Sequence, residues 1–160
     1  MNSSHTFTGG TSASAPYVEL RQTLPSRVEV ISPFVDQFAR FVAKFRNAET
    51  SEETVEIALR EALANAIVHG NREDPSKRVF VTCRCTTDGE VSITVQDEGQ
   101  GFEADEVPDP TASDNRLRPS GRGIYLMKAL MDDVHFERHG TVVHMRKNAV
   151  DRSAIDRRAG

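Results

Sequence analysis

Two runs of alternating apolar residues limit the fold of this 160-residue chain more than any other feature. Val79, Val81, Cys83 and Cys85 share one face of a strand, and Val91, Ile93 and Val95 share one face of another. Between them lies Asp88-Gly89, whose glycine supplies the positive φ that a tight reversal needs. The expected hairpin has one apolar face, which must be covered by other elements of the chain. Cys83 and Cys85 are the only cysteines. Two apart in a strand they point the same way and are poorly placed to bridge each other. With no second cysteine pair to complete a metal site, they read as small buried apolar side chains.

The rest of the chain supplies the cover. Residues 1–15 (MNSSHTFTGGTSASA) are polar and low in complexity, and they are expected to form a disordered tail. One domain should span 16–147, with a polar tail over 148–160. Val18, Leu20 and Leu24 alternate with Glu19 and Arg21 as a half-buried strand that Pro25-Ser26 ends. A helix follows through Phe34, Val35, Phe38, Phe41, Val42 and Phe45, with Ser32-Pro33 as its expected N-cap and first residue. A second helix, over about 51–70, buries Val55, Leu59, Ala62, Leu63, Ala66 and Ile67, and Gly70 is its natural stop. After Asp97 comes a polar stretch, Glu98 to Ser120, too long for an ordinary connection and typical of a lid or insert. A third helix should open near Gly121-Arg122-Gly123 and carry Ile124, Leu126, Met127 and Leu130. A last hairpin joins Val134 and Phe136 to Val143 and Met145 through a turn at His139-Gly140. The order predicts an α+β fold with an antiparallel or mixed sheet and helices on one face.

Charge narrows the partners. With 24 acidic and 20 basic side chains the net charge is -4, so no nucleic-acid footprint is expected. No apolar run approaches the ~20 residues that cross a bilayer, and no secretory signal opens the chain, so a cytoplasmic protein is expected.

The chemistry concentrates in three places. Glu61, Asn65 and His69 stand at i, i+4 and i+8 on the second helix, flanked by Ala58, Ala62 and Ala66, small residues that leave room beside it. A carboxylate and an amide carbonyl on one line suit a hard cation such as Mg²⁺, or a general base beside a metal ligand; the plain alternative is a solvated polar face. Asp97 continues the inward face of Val91, Ile93 and Val95, and a buried carboxylate needs donors, which an adenine amino group would supply. The plain alternative is an aspartate ending a strand. Gly99 and Gly101 follow at once, where backbone passes close to another body or takes positive φ. Gly121-x-Gly123 opens a helix, and a glycine-rich helix entry presents free N–H groups to phosphate. There is no helix-opening G-x-G-x-x-G and no phosphate-binding G-x-x-x-x-G-K-[ST], which excludes the common α/β nucleotide folds.

The ordered set, E-x-x-x-N on a helix, D-x-G-x-G after a strand, then a lid and G-x-G before a helix, resembles the GHKL ATPases and their Bergerat fold. Histidine kinases and type II topoisomerases share that fold, a two-layer sandwich with a mixed, mostly antiparallel sheet. The stretch from Glu61 through Asn65 to His69-Gly70, with Ser120-Gly-Arg-Gly123 and Met131-Asp-Asp-Val, is most similar to the anti-sigma-factor serine kinases of bacterial partner switching. The resemblance covers about Tyr17 to Lys147. It implies ATP and Mg²⁺ as cofactors, with Asn65 as the magnesium ligand and Glu61 as the catalytic base. It implies Asp97 on the adenine amine, Gly99 and Gly101 shaping that pocket, Gly121 and Gly123 at the phosphates, and Thr141 in the adenine-side water network. His69 matches the family's His-Gly, as a helix cap or packing residue. Arg116, Arg118 and Arg122 in or beside the lid (Glu103 to Arg118) either pair with phosphates or stay solvated.

The implied function is a serine/threonine protein kinase that phosphorylates a STAS-type anti-anti-sigma protein and sequesters a sigma factor. A non-catalytic module sensing ATP or ADP is the alternative. A detached histidine-kinase domain is disfavoured because the stretch before Tyr17 is short for a phospho-accepting helical unit. A topoisomerase-like ATPase is disfavoured because no transducer domain is seen after Lys147. The family also implies a homodimer, for which a β-edge near Val18 is the expected surface.

Overall fold

The computed structural model describes residues 6–11, 15–44, 52–101 and 119–149. Six strands, β1 (Thr6–Thr11), β2 (Pro16–Pro25), β3 (Arg78–Thr86), β4 (Val91–Asp97), β5 (Asp133–Glu137) and β6 (Val142–Lys147), form one sheet in the order β1-β2-β3-β4-β6-β5. The helices are α1 (Ile31–Ala43), α2 (Glu52–Ala64), which runs into a wide turn over Asn65–Gly70, and α3 (Pro119–Leu130). Among the described residues all five strand pairings are antiparallel, with no parallel pair of a mixed sheet.

The hairpin forms as the alternation requires. Cys85 pairs with Val91, and Gly89 takes φ 97 in the turn. Val79, Val81, Cys83 and Cys85 are buried with Val91, Ile93 and Val95, while Arg78, Phe80 and Arg84 on the other face are exposed. The buried face and the helices form one continuous core. Each fully buried Val, Ile or Leu stabilises it by about 1.5–3 kcal/mol. Burial also pushes the Cys83 thiol up, as suits an inert core residue.

Three expectations need correction. Thr6–Thr11, placed in a disordered tail, form β1 and pair with β2. Val18 consequently has a partner on each side, Gly9 and Cys85, and offers no free edge for a second copy. Ala62 and Ala66 are buried as the stripe of α2 requires, but Ala58 is buried with them, so the three belong to the core instead of leaving room beside Glu61 and Asn65, and α3 lies against α2.

Smaller differences are local. A short helical turn at Val28–Val30 leads straight into α1, so Val30 is the N-cap and no side chain caps it. Ser32 instead accepts a hydrogen bond from Arg60 at 2.9 Å, tying α1 to α2. Phe34, Val35, Phe38, Phe41 and Val42 are buried as expected, and Phe45 lies outside the described residues. On α3, Ile124 and Met127 are buried but Leu126 is exposed. No helix among the described residues is long and apolar enough to cross a membrane.

Candidate functional site

Asp97 ends β4 with its side chain turned inward and only 8% of its surface exposed. Its N–H donates to the Thr141 carbonyl at 2.9 Å, and its Oδ1 accepts from the Gly99 N–H at 2.7 Å. Burial pushes the Asp97 carboxyl above its ordinary range, and the Gly99 bond and the Lys77 charge only partly offset this. No arginine or lysine among the described residues forms an ion pair with it. The position is a buried acceptor with capacity to spare.

Glycines let three backbone segments meet around it. A Cβ on Gly70 would lie 2.5 Å from the Asp97 carboxyl carbon, and one on Gly99 would lie 2.2 Å from the Gly70 carbonyl oxygen. Gly70 is therefore demanded by close approach. The helical run ends at Gly70 as expected, but without a positive φ there; Arg72 and Glu73, both at φ 55, turn the chain. Gly101 takes φ 77, and a Cβ there would lie 2.1 Å from the His139 carbonyl oxygen. Arg138 and His139 in that β5–β6 turn are themselves at φ 51 and 56. Left-handed backbone costs about 1–2 kcal/mol at a non-glycine residue, so the structure spends stability at both borders of Asp97. The Thr141 hydroxyl donates to the Arg138 carbonyl at 2.9 Å, bracing the same turn.

The motif pattern did not reveal Asn71, which is fully buried. Its Nδ2 donates to the Arg78 carbonyl at 2.9 Å and its Oδ1 accepts from the Glu98 N–H at 2.8 Å. One side chain thus ties the end of α2 to the start of β3 and the end of β4, setting Asp97 against Gly70. An asparagine after His-Gly reads from sequence as a cap, and no local spacing signals the two distant partners.

Glu61 and Asn65 are half-buried one helical turn apart. A Cβ on Gly123 would fall 2.8 Å from Glu61 Oε2 and 3.3 Å from Asn65 Oδ1, so the first turns of α3 lie directly against this pair. At Gly121 a Cβ would meet nothing within 4 Å. The helix opens at Pro119, so both glycines lie inside it rather than before it. Between Asn65 and Gly70 the helix widens to a π-type turn, and His69 lies exposed in its last turn. Arg122 is exposed; Arg116, Arg118 and the lid lie outside the described residues. Glu61, Asn65 and Gly123 meet as one group, and Gly70, Asp97 and Gly99 as another. The turn from Asn65 to Gly70 connects the two.

Comparison with known proteins identifies the family. The histidine kinase-like ATPase domain family matches residues 24–147. The anti-sigma F factor of Heyndrickxia coagulans is 34% identical over 111 residues, covering 66% of this chain and 74% of that protein. The serine-protein kinase RsbW of Bacillus subtilis is 28% identical over 140 residues, 83% of this chain and 86% of that protein. An anti-sigma F factor of Clostridium perfringens is 40% identical over 105 residues, 61% of this chain and 74% of that protein. With an inward aspartate framed by glycines and an E-x-x-x-N helix lying under a glycine-bearing one, the chain belongs to the histidine kinase-like ATPases, in their family of anti-sigma-factor serine kinases.

Proposed function

We propose that this chain binds Mg²⁺·ATP and phosphorylates a serine of a STAS-type anti-anti-sigma protein, and that in its unengaged state it sequesters a sigma factor. The observation that carries the nucleotide reading is Asp97, a buried carboxylate with no cationic partner among the described residues, set at the end of the helix that bears Glu61 and Asn65. The adenine amine is a neutral donor that satisfies such an acceptor without a protein cation. Guanine presents a carbonyl at that position, so adenine is the base selected.

The donor set also suits the metal. Asn65 offers an amide oxygen beside the Glu61 carboxylate, the hard oxygen ligands Mg²⁺ takes, and Asn65 is the residue that would hold it. The bound ion would supply charge neutralisation at the phosphates, the main electrostatic requirement of phosphoryl transfer. Gly121 and Gly123 bring the α3 backbone close, with no side chain to exclude a phosphate at Gly121. Glu61 takes the serine hydroxyl proton as that oxygen attacks the γ-phosphorus and the bond to the β-phosphate oxygen breaks. Gly99 and Gly101 shape the base end of the pocket, and Thr141 supports it through the turn it braces. A homodimer and a cytoplasmic setting belong to the same reading, and with β2 paired on both sides the dimer surface lies away from Val18.

The test uses the full chain, labelled ATP and a STAS-type substrate. Label should move to the substrate serine with Mg²⁺ present. Glu61→Ala should slow transfer about 10²–10⁴-fold and leave ATP affinity nearly unchanged. ATP and ADP should raise the melting temperature and GTP should not. Adenine binding without transfer to any such substrate would favour the sensing module instead, and equal shifts by GTP would refute the role of Asp97.

A further inference from the structure

The outer face of the sheet, away from the helices and the glycine-framed site, carries a second set of donors. His135 on β5 and His144 on β6 are register partners, their rings stacked with centroids 4.8 Å apart. Glu137, two residues along β5, points the same way. One carboxylate oxygen lies 3.4 Å from His144 Nε2 and the other 3.9 Å from His135 Nε2. One donor atom from each of the three residues lies within 4.8 Å of the others. His144 Nδ1 is hydrogen-bonded with Thr94 Oγ1 on β4 at 2.9 Å. Its Nε2, shielded from solvent, has no hydrogen-bond partner. A shielded ring nitrogen beside a carboxylate, with a second imidazole stacked next to it, is an unmet demand for a ligand.

We propose that His135, Glu137 and His144 form a site for a divalent transition metal, and that Zn²⁺ is the ion they suit. Two imidazoles and a carboxylate are a complete three-ligand set, leaving the fourth tetrahedral position to water. Mg²⁺ prefers six oxygens and would not compete here. Zinc–nitrogen bonds of about 2.0–2.1 Å place tetrahedral ligand atoms roughly 3.3 Å apart. The Glu137–His144 pair already stands near that spacing, and the exposed His135 ring closes the remainder by side-chain rotation. Thr94 supplies the outer contact that orients a ligating imidazole and selects its tautomer. Since β5 is the sheet edge, held in the sheet by β6 alone, an ion bridging His135 and His144 staples that edge in place.

Titration of ZnCl₂ into the full chain, stripped of metal and free of nucleotide, tests the site by calorimetry. One saturable equivalent is expected, with a rise in melting temperature. His135→Ala or His144→Ala should each weaken binding more than ~100-fold, and Thr94→Val about 10–100-fold, as loss of an outer contact does. The substituted side chains lie on the exposed sheet face, and an unchanged circular dichroism spectrum verifies folding. Absence of saturable zinc binding overturns the proposal. So does affinity retained within threefold in the His135→Ala/His144→Ala double variant.

Discussion

Glu19 and Asp97 are the two buried carboxylates among the described residues, at 2% and 8% exposure, and they are satisfied in different ways. Glu19 lies on the outer face of β2 beneath two guanidinium groups, from Arg21 along its own strand and from Arg84 across on β3. Arg84 also stacks over the Tyr17 ring at 5.0 Å. Burial acts to raise the Glu19 carboxyl, but the hydrogen bonds and charges of Arg84 and Arg21 outweigh it and hold the group below its usual range. Asp97 receives a single backbone N–H from Gly99, and burial leaves it raised. One carboxylate is ionised, paired and structural. The other is held in place by backbone contacts that leave acceptor capacity free for a ligand.

The contrast can be broken or sharpened experimentally. Asn71→Ala removes the clip that sets Asp97 and leaves the Arg78 carbonyl and Glu98 N–H unpartnered. It should destabilise the fold by about 2–4 kcal/mol in urea unfolding. Loss below about 1 kcal/mol would mean that the clip is dispensable. Asp97→Asn keeps an oxygen for the Gly99 N–H but presents an amide to the adenine amine. ATP affinity should fall about 10–100-fold while the melting temperature of the nucleotide-free chain holds or rises. A lower melting temperature there would make Asp97 structural like Glu19. Glu19→Gln should do the reverse, costing about 1 kcal/mol of stability because its arginines remain partly in solvent, with ATP affinity unchanged.

The smallest effect is in pH dependence, and its sign differs between the two groups. A raised folded value means that the folded chain binds the Asp97 proton more readily than the unfolded chain does. The stability Asp97 contributes is full below the ordinary aspartate range and is lost as pH rises through the raised value. The Glu19 contribution is full above the ordinary glutamate range and is lost as pH falls through its lowered value. Unfolding between about pH 3 and 7 should show Asp97→Asn gaining on the parent toward neutral pH and Glu19→Gln losing. Parallel curves for the two variants would contradict the contrast.

Much of the fold was legible in sequence. The strands about Asp88-Gly89 and the buried stripes of α1 and α2 follow from apolar period, which each segment carries within itself. The polar segment containing β1 has no such period; its pairing to β2 comes from a neighbouring strand rather than from its own composition. At the site, Asp97 was legible because it prolongs an inward-facing alternation. Gly70 was read as a helix stop because a glycine after a helix usually is one, and only the approaching carboxylate shows its purpose. Asn71 and the turn at Arg72-Glu73 carry no local signal, and although His139-Gly140 marked the β5–β6 turn, nothing local showed that Arg138 and His139 would take positive φ there.

From residue order alone came every element but β1, the inward direction of Asp97, and the group of Glu61, Asn65 and glycines that marks the family. These depend on spacing along the chain, which is covalent. Folding decided that the Asp97 carboxylate rests against Gly70, that Gly123 lies on Glu61, and that His135, Glu137 and His144 share one patch. The first two contacts join residues far apart in sequence, which only the packing of helices on the sheet brings within reach, and the third depends on the register of the β5–β6 hairpin.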